Sequence, residues 1–234
     1  MDRIKTLIPG LDGLVQGGIP EGSAVLISGG AGSCKTIFTL QFLYEGAVQE
    51  KEPGLFVTLE SNVKNITWNM QNFNWDFKKL QDEKLLNIYR LKLDPDGDID
   101  EQIESELEIV ASIVKEMGAK RLVVDSTTAF GVWIPDQGKM RSLLYKFTDG
   151  LKNIGCTTLL TSETKGGRKD FSAFGVEEFV VDGVIALYFT PPHRSIFIRK
   201  MRGTDHSKSI HPFEITNNGI KIRGKEQIMW DSIR

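Results

Sequence analysis

The sequence contains a short run of small residues that ends in a lysine and a threonine, Ser28-Gly-Gly-Ala-Gly-Ser-Cys-Lys-Thr36. Counted from Gly29, the run follows the pattern G-x4-G-K-[ST], except that Cys34 replaces the second glycine. In such a run, backbone N–H groups can surround a phosphate chain at the N-terminus of a helix, where the partial positive charge attracts anions. The run therefore predicts a phosphate-binding loop between a strand and a helix.

Each residue of this loop has a predicted role toward a nucleotide. Lys35 is expected to neutralise the β- and γ-phosphates, and the Thr36 hydroxyl is expected to coordinate Mg²⁺. The other predicted nucleotide-binding residues of the loop are Gly29, Gly30, Ala31, Gly32, Ser33 and Cys34. A side chain at Cys34 is expected to require a negative φ and to point away from the phosphates. We interpret Cys34 as a small substitute for glycine, and the alternative is a redox-sensitive thiol activated by the helix N-terminus.

Two carboxylates at the ends of predicted strands could complete this site. Leu122-Val-Val-Asp125 is an apolar run that ends in Asp125, a position that holds a magnesium-bound water in P-loop enzymes. Thr58-Leu-Glu60 also ends a strand, and Glu60 could polarise the attacking water, although a glutamate there is also typical of a helix cap. The sequence thus predicts Thr36 and Asp125 as metal ligands, and Glu60 and Lys35 as catalytic residues.

Short apolar runs that alternate with amphipathic, helix-length stretches must position these groups. The predicted strands of this first part are 24–28, 55–59, 85–91, 121–125 and 157–161. The predicted helices between them are 37–48, 63–73, 103–117 and 143–151. Alternation of this kind predicts an α/β fold with a mostly parallel central sheet and helices on both faces.

After Gly183 the pattern changes to consecutive strands, which are predicted at 184–189, 195–199, 213–216 and 219–223. Turn signals separate them, namely Pro191-Pro192 and Asn217-Asn-Gly219, and the second is typical of a hairpin. We therefore expect the sheet to end in antiparallel C-terminal edge strands.

Composition limits the classes of protein that the chain can belong to. The 234 residues include 29 Lys+Arg and 31 Asp+Glu, and a net charge of -2 argues against a general electrostatic grip on nucleic acid or anionic membrane. The 2 cysteines exclude a disulfide framework and favour a reducing compartment. There is no apolar run of the ~18 residues that a membrane span needs, and no signal-peptide layout. We expect a single cytoplasmic domain over residues 1–234, without a membrane partner.

A series of motifs, in chain order, resembles the KaiC-like branch of the RecA superfamily. Besides the phosphate-binding loop, they are Ile8-Pro-Gly-Leu-Asp12, Gly17-Gly-Ile-Pro20, Gln41-Phe-Leu-Tyr44, Phe56-Val-Thr-Leu-Glu60, Phe73-Asn-Trp-Asp76, Val124-Asp125-Ser126, Phe174-Gly-Val-Glu-Glu178 and Lys200-Met-Arg-Gly-Thr-Asp-His206. The resemblance extends over about residues 5–223 and corresponds to one KaiC-type domain. It implies a RecA-like P-loop NTPase fold, ATP and Mg²⁺ as cofactors, and an archaeal source, because single-domain versions are common in archaea.

The resemblance also implies that nucleotides lie between the subunits of a homo-oligomeric ring, usually a hexamer. Lys200 and Arg202 then become catalytic and nucleotide-binding cations that reach the γ-phosphate of the neighbouring subunit, with His206 close by. An arginine supplied in this way is worth about 10³–10⁵ in rate. Without the resemblance, the same cations are interpreted as solvated charges of an edge strand.

Two departures from the family pattern change the expected activity. Glu60 is followed by Ser61, whereas the family usually has two adjacent acidic residues there, which predicts slow hydrolysis. Self-phosphorylation in the family's clock protein uses a Ser-Thr pair that precedes the antiparallel strands, and residues 176–182 of this chain contain no hydroxyl group. We therefore predict no autokinase activity.

Two functions follow from these patterns. The favoured one is an Mg²⁺-dependent ATPase whose hydrolysis changes the conformation of a ring and thereby the binding of a protein partner that the sequence does not identify. The alternative is a weakly hydrolysing, nucleotide-dependent scaffold or recombinase paralogue that binds DNA or a protein. A basic loop at 165–169 is the candidate DNA contact, but a solvated or ring-forming loop is the favoured interpretation.

Overall fold

The structure is a computed structural model that describes residues 1–59, 65–67, 70–94, 96–132, 134, 136–164 and 170–229. The strands, in chain order, are β1 (Arg3–Ile4), β2 (Ile19–Pro20), β3 (Ala24–Gly29), β4 (Gly54–Thr58), β5 (Leu86–Arg90), β6 (Arg121–Asp125), β7 (Thr157–Glu163), β8 (Gly183–Thr190), β9 (His193–Met201), β10 (Ile210–Thr216) and β11 (Gly219–Ile222). The α-helices are α1 (Lys35–Glu45), α2 (Phe77–Asp82), α3 (Ile99–Met117), α4 (Gln137–Asn153) and α5 (Glu177–Val180). Of the described helices, none is long and apolar enough to cross a membrane.

One large sheet contains β3 to β11, in the spatial order β11-β10-β9-β8-β3-β7-β6-β4-β5. The pairs from β8 to β5 are parallel, and β8, β9, β10 and β11 pair antiparallel. This confirms the predicted α/β fold, with a mostly parallel sheet and antiparallel C-terminal edge strands. Because the parallel strands all end at one edge, the loops that follow β3, β6 and β7 lie side by side.

Two apolar layers cover the sheet, one on each face. Val25 and Ile27 of β3 pack in the layer that contains Phe38 of α1, which we call the α1 face. Leu26 packs in the layer that contains Phe147 of α4, which we call the α4 face. Every residue of β3 is buried, as expected for a central parallel strand that helices cover on both sides. The structure thus confirms that helices lie on both faces.

The end of α1 differs from the predicted helix 37–48, because the chain passes at Gly46 from α-helix into a π-helical turn, Gly46–Glu50. Arg121, which is fully buried, packs against this point, and a Cβ on Gly46 would lie 2.1 Å from its Nε. Arg121 donates to the Phe42 carbonyl at 2.9 Å and pairs with Glu52 at 2.6 Å. The regular helix therefore ends where this buried ion pair occupies the space.

Other elements differ from prediction because they are too short to produce a periodic pattern. The sequence did not predict β1, β2, α2 or the one-turn helix α5. The predicted helix 63–73 lies partly outside the described residues, and its described part is helical at 65–67 but forms turns from Met70 to Phe73. There, Phe73 donates its N–H to the Met70 carbonyl at 3.0 Å, which is a turn contact rather than a helical one.

Candidate active site

Lys35 lies at the carboxyl edge of the sheet as the first residue of α1, and its side chain is buried. Its Nζ donates to the carbonyl oxygens of Gly29 at 2.9 Å and Gly30 at 3.2 Å. Oε1 of Glu163, at the end of the neighbouring strand β7, lies 3.8 Å from the same Nζ. The ammonium group is therefore held between the predicted phosphate-binding loop and the end of β7.

The two predicted metal ligands, Thr36 and Asp125, are in direct contact. The Thr36 hydroxyl donates to Oδ2 of Asp125 at 2.9 Å, although the two residues come from α1 and β6. The other carboxylate oxygen of Asp125 accepts a hydrogen bond from the Thr161 hydroxyl of β7. A hydroxyl and a carboxylate are the oxygen donors that Mg²⁺ prefers. The donor set at this point therefore fits the metal that the sequence predicts.

The remaining loop residues line or support the mouth of this site. Ala31 and Gly32 are exposed, whereas Ser33 is fully buried, so that its side chain faces the protein interior. A cleft of about 470 Å³ opens beside the loop. Its polar lining residues include Lys35, Thr36, Asp125 and Glu163.

Cys34 has a left-handed backbone with φ of 75°, so the expectation that it requires a negative φ is wrong. Loop geometry determines the conformation here, at a cost of roughly 1–2 kcal/mol for a residue with a Cβ. Burial raises the pKa of the Cys34 thiol above its ordinary value, and the nearby Arg194 and Lys35 side chains offset this only in part. The shift is opposite to the lowered pKa that a redox-sensitive thiol requires, which supports the interpretation of a tolerated substitute.

Arg194 of β9 is a site residue that the sequence reasoning missed. Its guanidinium lies over the Phe189 ring, 4.2 Å from the centroid, and its Nε donates to the Gly32 carbonyl at 3.4 Å. Gly32, with φ of +75°, lies so close to Phe189 that a Cβ would be 3.3 Å from the ring. The β8–β9 hairpin thus brings a cation to the loop of its own chain.

Glu163 is the second site residue that was missed, and here the sequence offered a signal. Like Asp125, it is a carboxylate that directly follows a buried strand segment. Its backbone N–H donates to the Thr128 hydroxyl at 2.9 Å, which fixes the end of β7. Arg194 had no comparable signal, because its position depends on how far β9 returns along β8.

Lys200 and Arg202 lie far from the loop of their own chain. Gly29 pairs with Leu187, which pairs with Ile196. Lys200 is four residues further along β9, toward the opposite edge of the sheet, which corresponds to about 13 Å of strand. Within one chain the structure therefore does not bring Lys200 and Arg202 to Lys35.

Local partners hold both cations at that opposite edge. The Lys200 Nζ donates to the carbonyl oxygens of Glu178 at 3.0 Å and Val181 at 2.7 Å. Arg202 pairs with Asp182 at 3.1 Å. Burial, with a further contribution from Arg202, lowers the pKa of Lys200. Lys200 is therefore a fixed, half-buried cation rather than a freely solvated one.

Asp182 also accepts from the Lys152 ammonium and from the backbone N–H of Ala24. Burial acts to raise the pKa of Asp182, but the hydrogen bonds from Lys152, Ala24 and Arg202 outweigh it and lower the pKa below its ordinary value. His206, the other residue predicted near these cations, is half-buried and has its Nδ1 2.9 Å from the Ser207 carbonyl oxygen.

Part of the predicted site lies outside the described residues. This applies to Glu60 and Ser61, and to the basic loop at 165–169. The role of Glu60 in polarising water and the alternative of DNA binding at that loop therefore stay predictions.

Known proteins resemble this chain over nearly all of its length. The sequence profile of the family described as "ATPase: KaiC" matches residues 4–227. The UPF0273 protein MJ1359 of Methanocaldococcus jannaschii is 36% identical over 236 residues, which cover 95% of this chain and 96% of that protein. The crystal structure of the KaiC-like protein PH0186 from Pyrococcus horikoshii superimposes with a TM-score of 0.83 at 39% identity, over 94% of this chain and 98% of that one.

The circadian clock oscillator protein KaiC of Synechococcus elongatus is 36% identical over 230 residues. The match covers 94% of this chain but only 44% of KaiC, so this chain corresponds to less than half of that protein.

Proposed function

Because the chain belongs to the KaiC ATPase family, we propose that it is a single-domain, Mg²⁺-dependent ATPase whose nucleotide sites lie between the subunits of a homohexameric ring. The observation that carries this proposal is that Lys35 lines the same cleft, at the carboxyl edge of the sheet, as the hydrogen-bonded pair Thr36 and Asp125. Glycine-rich loop, lysine, hydroxyl and carboxylate are the groups with which P-loop enzymes bind a metal–nucleotide complex.

Within one subunit, the loop is proposed to bind the phosphates through its backbone N–H groups. Lys35 neutralises the outer phosphates, and Thr36 and Asp125 hold Mg²⁺. When bound, the metal neutralises negative charge on the phosphate oxygens. Arg194 adds a third cation at Gly32, on the side of the loop away from Asp125. The site therefore has positive groups both beneath and beside the phosphate chain.

The cations at the opposite edge are proposed to complete the site of a neighbouring subunit. Each copy has an anion-binding loop at one edge and Lys200 and Arg202 at the other, so two copies can meet head to tail. A head-to-tail contact of this kind produces a ring when its rotation closes. Lys200 and Arg202 then stabilise the charge on the transferred phosphate, and His206 contacts the nucleotide from the same segment.

Turnover is proposed to be slow and to serve regulation. Glu60 is the proposed group that polarises the attacking water, and Ser61 leaves it without a second carboxylate beside it. The ring conformation, which depends on the nucleotide, would then control the binding of a protein partner. No phosphate transfer to a Ser or Thr of the chain is expected.

Phosphate release and oligomeric mass, measured on the same samples, test this function. We expect the wild-type chain to form a ring with Mg-ATP and to release phosphate. Lys35→Ala is expected to abolish nucleotide binding, whereas Lys200→Ala and Arg202→Ala are expected to keep binding and lower turnover about 10³-fold or more. The matched control is Lys208→Ala, since the Lys208 side chain is 85% exposed.

Two outcomes would contradict the proposal. A monomer that releases phosphate at the same rate as the ring would refute the shared site. Nucleotide binding with negligible phosphate release would instead support the scaffold alternative, and a salt-dependent DNA gel shift would identify its recombinase-like form.

A further inference from the structure

Glu177 is a buried carboxylate that the proposed chemistry does not use. It is 2% exposed, at the first position of α5. One oxygen accepts from the Ser162 hydroxyl at 2.9 Å and the Ala173 N–H at 3.2 Å. The other accepts from the N–H groups of Phe174 and Val176, both at 3.2 Å. The carboxylate thus binds the segment before α5 to the end of β7.

The same one-turn helix holds Lys200. The two carbonyl oxygens that accept from the Lys200 ammonium belong to Glu178, inside α5, and to Val181, directly after it. Carbonyl groups at the C-terminal end of a helix have no partner within the helix and attract a cation. Glu177 therefore fixes one end of α5, and the other end fixes Lys200.

On the other side, Glu177 is joined to the nucleotide cleft. Its partner Ser162 precedes Glu163 on β7, and successive strand residues point to opposite faces. Ser162 therefore points toward α5, while Glu163 points toward the loop, 3.8 Å from Lys35. The hydrogen bond between Ser162 and Glu177 thus attaches α5 to the same strand that carries Glu163.

We propose that Glu177 is a positioning residue for Lys200, because it attaches α5, whose carbonyls hold the ammonium group, to the end of β7. This inference rests on the proposed function, in which Lys200 acts on the nucleotide of a neighbouring subunit. In this proposal, Glu177 contacts neither the nucleotide of its own subunit nor that of the neighbouring subunit. It acts only through the position of α5.

The first experiment compares Glu177→Gln with Glu178→Gln. The first variant keeps the size of the side chain but replaces one acceptor oxygen with an amide that cannot accept. The second removes the same charge one residue later, where the side chain accepts from the Ser172 hydroxyl, a bond that a Gln amide oxygen can still accept, and where the backbone carbonyl that holds Lys200 is kept. A misplacement of about 1 Å at a reacting centre can cost 10²-fold in rate. We expect Glu177→Gln to lower kcat about 10- to 100-fold with KM for Mg-ATP unchanged, and Glu178→Gln to stay within about twofold of wild type.

A mixing experiment separates an effect on Lys200 from general damage to the subunit. Lys35→Ala subunits bind no nucleotide but still present an intact Lys200 to a neighbour. When they are mixed with Glu177→Gln subunits, each Glu177→Gln loop that faces a Lys35→Ala neighbour should regain activity. We expect turnover per Glu177→Gln subunit to rise with the fraction of Lys35→Ala subunits. A reference mixture, in which Lys200→Ala subunits replace the Glu177→Gln subunits, should show the same rise.

The outcomes distinguish failure of the inference from failure of the proposed function. If the reference mixture of Lys200→Ala and Lys35→Ala shows no recovery, the shared site is wrong, and the inference is wrong with it. If the reference recovers but Glu177→Gln does not, Glu177 supports its own loop rather than Lys200, which overturns the inference alone. Wild-type turnover in Glu177→Gln would also overturn it.

Ser162→Ala provides a second variant if Glu177→Gln does not fold. It leaves the three backbone N–H groups on Glu177 and removes the Ser162 hydroxyl, which donates to Glu177 at 2.9 Å and accepts from the Ala173 N–H at 3.1 Å, so that both side-chain links to β7 are lost. We expect a smaller loss of kcat, about threefold to tenfold, with the same recovery in the mixture. A loss that the mixture does not restore, or no loss at all, would contradict the proposed attachment.

Discussion

Arg194 provides the most direct test of how the loop binds an anion within one subunit. The perturbation is Arg194→Ala, which removes the guanidinium from the Phe189 ring and the bond of 3.4 Å to the Gly32 carbonyl. Both contacts place the charge beside the loop, and neither involves the edge of the sheet where Lys200 lies. The variant should therefore weaken binding within the subunit without altering the proposed contribution of the neighbour.

The magnitude follows from the exposure of Arg194 and the kind of bond it can make. Hydrogen bonds to charged groups contribute about 1.5–3 kcal/mol. Arg194 is only half-buried, so the lower end of about 1.5 kcal/mol applies, because water competes for its donors. Since about 1.4 kcal/mol corresponds to tenfold in affinity, we expect Kd for the nucleotide to rise about tenfold. The contact with the Phe189 ring adds about 0.5–1 kcal/mol to the stability of the hairpin only.

Calorimetric titration with Mg-ADP measures this effect, because ADP lacks the γ-phosphate that the neighbour's cations are proposed to reach. Arg199→Ala is the matched control: Arg199 lies on the same strand over the Phe171 ring, 5.2 Å from its centroid, but away from the loop. An Arg194→Ala protein whose Kd equals that of the Arg199→Ala protein would refute the assignment of Arg194 to the site.

Three further predictions concern the loop, the metal ligands and the opposite edge. Cys34→Gly should change the free energy of unfolding by less than about 1 kcal/mol, whereas Cys34→Val, which places a β-branched residue at positive φ, should lower it by about 2 kcal/mol. Thermal unfolding measures both effects, and equal effects of the two variants would contradict the left-handed backbone at Cys34. Asp125→Asn should remove most of the Mg²⁺ dependence of nucleotide binding in titrations with and without the metal, and an unchanged dependence would exclude Asp125 as a ligand. Because the folded-state pKa of Asp182 lies below the ordinary 3.8, its ion pairs contribute full stability above about pH 4, and this contribution is lost as the pH falls through the folded pKa. Asp182→Asn should therefore reduce the fall of the melting temperature between about pH 5 and pH 2. If the melting temperature of the variant falls as steeply as that of wild type, Asp182 does not contribute to the acid dependence of stability.

The parts of the site that the sequence predicted are those that lie close together in the chain or at the ends of buried strands. Lys35 and Thr36 begin α1 after the short loop that follows β3, and Asp125 ends β6, so a parallel sheet brings them together whatever the details of packing. Arg194 and Glu177 were not predicted, because their contacts depend on the register of β9 and on a one-turn helix. Neither feature produces a periodic pattern of hydrophobic residues.

Two errors have a common physical cause, which is that the surrounding structure overrides the preference of a residue. The preference of a residue with a Cβ for negative φ predicted the wrong backbone at Cys34, because the loop requires a left-handed turn before α1. The periodicity of 37–48 predicted a continuous helix, but the buried guanidinium of Arg121 leaves space only for Gly46. At Gly46 the cause is a packing contact and at Cys34 it is the backbone geometry of the loop, and sequence periodicity reports neither.

Strand β9 carries two cations, Arg194 and Lys200, to opposite edges of the sheet, as the proposal of a shared nucleotide site requires. Arg194 pairs with Phe189 and has the same strand parity as Ile196 and Ile198, which pack on the α1 face. Its side chain therefore reaches the loop of its own subunit. A regular strand would turn Lys200, six residues later, to the same face, because side chains alternate with period two. A register shift between Val184 and Ile185 instead pairs Lys200 with Val184, whose side chain packs on the α4 face.

A one-residue bulge of this kind moves all later side chains of a strand to the opposite face. It therefore turns Lys200 away from α1 and toward α5, whose carbonyls hold it. At about 3.4 Å per residue, the strand between Arg194 and Lys200 spans about 20 Å, which is about the length of the six-residue strand β3. The register of β9 thus brings Arg194 to the loop of its own chain and holds Lys200 at the opposite edge, which is the arrangement that the proposed shared site requires.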